Sequence, residues 1–225
     1  LIQMSYSLII PIYNEGTTLK RLLNELNELD ERIEIILVND GSNDETKSIL
    51  DNQDSIKVIH NLENKGKGSS IIIGANYALN NNLILMDGDL EIDIKSIIPC
   101  INLYESKVKH VVVGSRWNDK SKTGININTV GNIIINYIFN ILFKTDLEDI
   151  LCCVKIINKR LLGSLNLKSE RFSIEAEIMS KLAMIGTEIH EIDVVYNRRN
   201  SEQGKKLKIS DSLSIIWTMI KIRFQ

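Results

Sequence analysis

The stretch Asn82-Leu83-Ile84-Leu85-Met86-Asp87-Gly88-Asp89-Leu90-Glu91 decides the fold. Five residues make a run of strand length, apolar from Leu83 to Met86, and the run stops abruptly at three carboxylates spaced two residues apart. A short, continuously apolar strand fits a parallel sheet covered on both faces, because such a strand has no solvent side to mark with polar residues. Working outward, the same grammar repeats. Ser7 to Pro11, Glu34 to Val38, Ile56 to Ile59 and Val111 to Val113 read as further buried strands. Between them Thr17 to Leu29, with leucines at 19, 22, 23, 26 and 29, reads as an amphipathic helix. Asp44 to Leu50, with Ser42 or Asn43 near its cap, and Ser69 to Leu79 read as two more. Strands alternating with helices predict an α/β chain, Rossmann-like in outline.

The second half is less regular. Val130 to Phe143 is a long apolar helix candidate, and Leu161 to Arg171 is loop-and-helix material. Ile174 to Ile185 reads as a helix, Glu188 to Val195 as a strand, Arg198 to Lys208 as a basic loop and Ser212 to Phe224 as a terminal amphipathic helix. No Pro/Gly-rich linker divides the chain. The expected organisation is one domain over residues 1–211 followed by a helix over 212–225. The abundance of Ile and Asn reads as genome composition rather than function.

Composition narrows the function classes. The chain has 225 residues, 44% hydrophobic and 25% charged, with a net charge of −2. That is ample for a core and excludes a disordered or collagen-like chain. A near-neutral chain lacks the basic surplus of a nucleic-acid binder, so no nucleic acid is expected as partner. Cys100, Cys152 and Cys153 have no framework spacing and no histidine partners, which predicts reduced thiols, a cytosolic setting and no Cys/His metal site. The opening residues lack a secretory pattern, and no apolar run reaches the roughly 18 residues of a membrane span. The chain is expected to be soluble or attached to a membrane surface.

In open parallel sheets ligands sit beyond the carboxyl ends of the strands. Four polar clusters fall there: Pro11 to Glu15, Asn39 to Ser42, Asn64 to Gly68 and Asp87 to Glu91. Neither a G-x-x-x-x-G-K-[ST] string nor a G-x-G-x-x-G after the first strand occurs, which argues against a P-loop NTPase or a dinucleotide dehydrogenase. The Gly66-Lys67-Gly68 turn reads equally as a close approach to ligand and as a plain strand-to-helix turn. An isolated D-x-D is ordinarily a solvated loop. At the end of the fourth strand, Asp87 and Asp89 with Glu91 instead form an oxygen-rich candidate site for Mg²⁺ or Mn²⁺.

The strings IPIYNE (11–15 with Ile10), ILVNDGSNDET, NKGKGSS, LMDGDLEID, VVVGSRW and RFSIEAEI occur in an order that resembles family 2 inverting glycosyltransferases of the GT-A fold. The GSR, RFSIEAEI and GKKL segments are most similar to the dolichyl-phosphate mannosyltransferase and polyprenyl-phosphate glucosyltransferase branch. The resemblance covers nearly the whole chain. It implies a GT-A, mostly parallel sheet and transfer of mannose or glucose, with inversion, from GDP-mannose or UDP-glucose to a polyprenyl or dolichyl phosphate.

The resemblance also assigns residues. Pro11, Tyr13 and Glu15 would line the nucleoside pocket and Asp40 would contact the nucleoside. Asp87 and Asp89 would hold the donor pyrophosphate through Mg²⁺ or Mn²⁺, with Glu91 as a further ligand where many relatives have Gln. Arg116 would face phosphate, Arg199 and Lys206 would close over the pyrophosphate, and Glu175, in preference to Glu177, would touch the donor sugar. Relatives often carry basic residues ahead of the long helix. Residues 126–140 here contain none, which leaves acceptor-phosphate binding unassigned or on Arg116 and backbone donors. Two other readings stand beside this one: a glycosyltransferase with a sugar-hydroxyl acceptor in cell-surface polysaccharide synthesis, and a non-catalytic nucleotide-sugar binder.

A membrane surface is the remaining expected partner. Residues 195–225 hold seven basic side chains and two acids on a chain whose total charge is −2, and end in a Trp-bearing apolar stretch. Such a segment suits a bilayer interface with anionic lipid. Peripheral attachment at the cytoplasmic face is therefore expected, with a membrane-protein partner or a homo-oligomer as an alternative use of the helix.

Overall fold

The computed structural model describes residues 5–106, 111–117, 127–197 and 209–225; of 127, 128, 209 and 210 it describes the backbone alone. Seven strands form one sheet: β1 (Tyr6–Ile12), β2 (Ile33–Asn39), β3 (Lys57–His60), β4 (Asn82–Leu85), β5 (Val111–Ser115), β6 (Lys155–Asn158) and β7 (Ile189–Asp193). The order is β3-β2-β1-β4-β6-β5-β7. The pairs β1/β2, β1/β4, β2/β3 and β5/β7 are parallel, as the continuous apolar runs require. Leu8, Ile9, Ile10 and Ile12 of β1 and Ile36, Leu37 and Val38 of β2 are wholly buried, so both faces of these central strands are covered.

Eight helices flank the sheet among the described residues. They are α1 (Gly16–Leu26), α2 (Thr46–Leu50), α3 (Lys67–Tyr77), α4 (Ile97–Ser106), α5 (Ile127–Phe143), α6 (Lys159–Ser164), α7 (Ile174–Met184) and α8 (Ile209–Arg223). Helix α1 buries Leu19, Leu22, Leu23 and Leu26, one stripe at helical spacing. Helix α3 lies so close to the sheet that a Cβ at Gly74 would stand 2.5 Å from Ile9 Cγ2.

Two elements differ from the sequence reading. Strand β6 runs antiparallel between β4 and β5, so its beginning, not its end, reaches the edge where the parallel strands finish. A four-residue run behind two cysteines gives no periodicity to detect. Helix α4 also went unread. Its Pro99 sits in the first turn, where a missing N–H costs nothing, and a short 3₁₀ turn at Ile94–Ser96, capped by Asp93, leads into it. At α2 the start is organised by Asp44, whose Oδ1 accepts from Thr46 N and Oδ2 from Gly16 N. Ser42 and Asn43, expected at that cap, instead tie to Asn14 of the loop after β1.

Helix α8 packs on α5 and α7. It buries Ile215 and Met219, and Ser214 Oγ lies 2.9 Å from Ser173 Oγ at the head of α7. No described helix is long and apolar enough to cross a membrane.

Candidate active site

The carboxyl edge of β1, β2 and β4 opens into a cavity of about 520 Å³, a size suited to a small ligand. It is lined by nine of the residues singled out above: Pro11, Tyr13, Glu15, Asp40, Asp87, Asp89, Glu91, Arg116 and Glu175. Arg199 and Lys206 lie outside the described residues. Asn64 and Lys67, from the third strand-end cluster, line the cavity as well, and so do Asn132, Cys153, Arg171 and Phe172, to which the sequence reading gave no individual role.

The D-G-D turn is shaped by packing. A Cβ at Gly88 would collide with Ile12 Cδ1 and stand 2.9 Å from Ile10 Cγ2, so the turn presses on the core of β1 and admits no side chain. Leu90 adopts a left-handed φ of 59°, and Asp89 Oδ1 accepts from Glu91 N at 3.0 Å across it. A leucine in that region is strained, and the strain sits where two carboxylates are aimed into the cavity. Glu91 lines the same cavity: Tyr196 OH donates to its Oε2 at 3.3 Å, and Asn197 N to its carbonyl at 2.6 Å.

The expected three-carboxylate metal site is therefore not gathered. Among the described residues no three His, Cys, Asp or Glu side chains stand as a cluster able to hold a metal ion. Glu91 is engaged by Tyr196. Two hard carboxylates in a cavity fit a divalent cation that completes its shell with water and substrate phosphate, the usual habit of Mg²⁺.

Asp40, expected at the nucleoside, lines the cavity and also ties down the turn before α3. Its Oδ1 accepts from Lys65 N at 3.0 Å and Asn61 Nδ2 at 2.9 Å, and its Oδ2 from Gly66 N at 2.7 Å. Asp40 thus fixes the turn before α3. Gly66 has φ of 94°, and a Cβ on it or on Gly68 would strike the backbone of Ser169 and Glu170. Both glycines serve a close approach to the chain's own backbone, where Gly68 N and Ser69 N donate to Glu170 O. Lys67, between them, extends into the cavity.

Beneath the D-G-D turn lies an alternating chain of charges. Lys67 Nζ is 2.7 Å from Asp87 Oδ1, 2.9 Å from Asp87 Oδ2 and 2.7 Å from Glu175 Oε1, the last contact oblique to the hydrogen-bond direction. Glu175 Oε2 in turn accepts from Lys155, which is wholly buried and also donates to Cys152 O. Burial favours the neutral form of Glu175, but Lys155 and Lys67 outweigh it and hold the carboxyl below its ordinary range. Burial likewise disfavours the Lys67 ammonium, and Asp87 and Glu175 reverse that, raising it well above the usual lysine value. Glu177, two residues on, faces away and accepts from Lys168 N and Ser169 N.

Arg116 reaches the cavity but is already gripped. Asp149 accepts from its backbone N at 3.1 Å, from Nε at 2.7 Å and from Nη2 at 2.7 Å. Its guanidinium also lies 5.7 Å from the Tyr196 ring centroid. The loop carrying Asp149 is pinned in three places. Asn136 and Asn140 of α5 both donate to Leu147 O, and Glu191 accepts from Glu148 N and Asp149 N. These asparagines have structural work, contrary to the compositional reading of their abundance.

Three kinds of similarity accompany this geometry. The sequence model of the family described as "Glycosyl transferase family 2" matches residues 7–165. A dolichyl-phosphate beta-glucosyltransferase of Trichomonas vaginalis is 28% identical over 96% of this chain and 72% of its own length. A dodecaprenyl-phosphate galacturonate synthase of Rhizobium johnstonii is 26% identical over 98% of this chain and 67% of its own. In fold, the chain superimposes on glucosyl-3-phosphoglycerate synthase of Mycobacterium tuberculosis in complex with uridine diphosphate. The TM-score is 0.76 at 14% identity, over 98% of this chain and 80% of that one. The same neighbour was solved with Mn²⁺, uridine diphosphate and its product. With a family model covering most of the sheet and its strand-end clusters, this chain belongs to glycosyl transferase family 2 and has the GT-A fold.

Proposed function

We propose that this glycosyltransferase moves a hexosyl group, glucose or mannose, from a nucleotide sugar to a polyprenyl phosphate, with inversion at the anomeric carbon. The observation that carries the reading is the make-up of one cavity. Its lining brings Asp87, Asp89, Lys67 and Arg116 together with Asn132 and Ile135 of α5 and Ser212 and Ile215 of α8. The charged residues suit a nucleoside diphosphate, and the two helices, which also carry exposed apolar side chains, suit a lipid-borne acceptor. The prenyl-phosphate chemistry named for the relatives from Trichomonas and Rhizobium supports the same choice.

Pro11, Tyr13 and Glu15 would flank the nucleoside, over a turn held by Asp40. A Mg²⁺ or Mn²⁺ held by Asp87 and Asp89 would offset charge on the departing diphosphate. Arg116, oriented by Asp149, offers its remaining donors to phosphate, and Arg199 and Lys206 would add cations from the segment that follows Asn197. A phosphate acceptor is already anionic near neutral pH, so it needs orientation rather than a general base. Glu175 suits that chemistry: ion-paired to Lys155 and Lys67 and held below its ordinary range, it is a poor proton acceptor and acts as an electrostatic anchor.

The acceptor's location accounts for a helix that is apolar on its outer face as well as at its core positions Ile135 and Phe139. Along α5 the outward residues are Val130, Ile133, Ile134, Tyr137 and Ile141, all exposed, while the asparagines at 132, 136 and 140 face inward. On α8, Leu213, Trp217 and Phe224 are exposed beside Lys221 and Arg223. An apolar, Trp-bearing face with cations at one end suits a bilayer interface. Peripheral attachment at the cytoplasmic face of a membrane belongs to this reading. The test supplies UDP-glucose and GDP-mannose, each labelled in the sugar, with undecaprenyl phosphate and Mn²⁺. Label entering the organic phase supports the proposal, and label confined to water-soluble glycan rejects it.

A further inference from the structure

We propose that Lys67 is a resident counter-cation which withholds Asp87 from divalent metal until a diphosphate enters the cavity, so that metal and diphosphate bind together. This deepens the functional reading and rests on its assignment of Asp87 to a metal. Three observations carry it.

The first is placement. Lys67 opens α3 between two glycines pressed on the backbone of residues 169–170, after a turn fixed by Asp40. Its backbone has no latitude, and its ammonium is delivered into the cavity rather than to solvent, with the side chain 12% exposed. The second is redundancy. Glu175 already has a wholly buried partner in Lys155. Among the described residues the ion pair to Asp87 comes from Lys67, at 2.7 Å. Lys67 therefore adds to a carboxylate that already has a buried partner, and its further reach is to Asp87, on the cavity lining. The third is exclusion. A divalent cation on Asp87 and an ammonium within 3 Å of both its oxygens compete for the same lone pairs and repel each other.

Metal therefore requires Lys67 to turn from Asp87. A diphosphate supplies the alternative partner for the released ammonium, while the contact with Glu175 keeps the side chain in the cavity. Metal and diphosphate then raise each other's affinity reciprocally, through one side chain with two arrangements. The Gly-Lys-Gly turn acts on the ligand through its lysine and on the fold through its glycines.

Calorimetry on the full chain tests this with Mn²⁺ alone, and with Mn²⁺ plus inorganic pyrophosphate, which avoids any choice of base. The wild type should bind Mn²⁺ weakly alone and about tenfold or more tighter with pyrophosphate. Lys67→Met, with a thermal transition confirming its fold, should bind Mn²⁺ alone about tenfold tighter than wild type and lose most of the pyrophosphate enhancement. Lys67→Arg should keep the weak binding of Mn²⁺ alone. Should Lys67→Met not fold, Lys67→Gln, which removes the charge and keeps a polar head for Asp87 and Glu175, carries the same expectation. Mn²⁺ binding to a folded Met variant that is unchanged or weaker, or an enhancement that survives it, overturns the inference. A merely structural lysine would weaken both ligands on removal. Sugar transfer is not part of this readout: tighter Mn²⁺ binding in the variant, alongside a wild type that fails to glycosylate polyprenyl phosphate, would leave the gate standing and remove the acceptor assignment.

Discussion

Asp149 holds Arg116 by two side-chain contacts of 2.7 Å and a third to the backbone N–H, so the guanidinium at the cavity edge is fixed by a residue 33 positions away in sequence. Asp149 is 2% exposed, which means that losing it strands a cation in a poorly hydrated place. Asp149→Ala is expected to cost on the order of 3 kcal/mol and to lower the thermal midpoint by roughly 10 °C. Asp149→Asn, which keeps one acceptor and the shape, should recover part of the stability but less of the activity. Thermal unfolding and turnover measured on both variants check this. Equal stability of wild type and Asp149→Ala would contradict it.

Asp89 makes a different kind of contribution. Its Oδ1 braces the turn at Leu90, and the rest of the carboxylate faces the cavity. Asp89→Ala should lower turnover by about 100-fold or more while leaving a cooperative unfolding transition. Near-normal turnover with added Mn²⁺ would remove Asp89 from the metal.

Glu175 gives the fold a pH signature. Its carboxyl is held below the ordinary value in the native state by Lys155 and Lys67, so the unfolded chain binds the proton more readily. The stabilisation is present above the unfolded carboxyl value of about 4 and is lost as pH falls through the lower native value. Glu175→Gln should be less stable at neutral pH, because Lys155 stays buried without its partner, and should lose less stability on acidification than wild type. Denaturant midpoints at pH 7 and at about pH 3, below the unfolded carboxyl value, decide. Parallel losses in the two proteins would show that another carboxylate governs the acid limb.

The outward face of α5 and α8 predicts vesicle binding that charge and apolar contact share. Removing α8 entirely is a poor test, since Ile215 and Met219 are buried and their loss would expose α5 and α7. Leu213→Ser/Trp217→Ser alters side chains about 70% exposed and spares the packing. This variant should float with anionic vesicles less than wild type at equal salt, and added salt should weaken wild-type binding. Equal flotation of both proteins would reject the α8 face as a membrane contact.

The central half of the fold was legible because β1, β2 and β4 are buried on both faces and end in polar clusters, a pattern that needs no partner to interpret. What escaped depends on partners. The stretch 149–155 resembles a family pattern that ends in a lysine, but the resemblance assigned Lys155 no role. The residue reaches the site because β6 runs against its neighbours and sets Lys155 opposite Leu85, two residues before Asp87. Asp149 is one acid among many until Arg116 is placed beside it. Lys67 carried a signal, a cation between two glycines after a strand, but the glycines drew attention to backbone and ligand rather than to the lysine. Asp40 carried a legible place at the strand end, but its bonds to the turn at Lys65 and Gly66 depend on a fold that the sequence does not display.

The most direct measurement of the central claim compares two acceptors that differ by one group, undecaprenyl phosphate and undecaprenol, with the same labelled nucleotide sugars, Mn²⁺ and detergent. The account predicts transfer to the phosphate alone, giving an organic-soluble sugar phosphodiester whose anomeric configuration is opposite to the donor's. Transfer to the alcohol, to a soluble sugar hydroxyl in preference to the phosphate, or with retained configuration would contradict it.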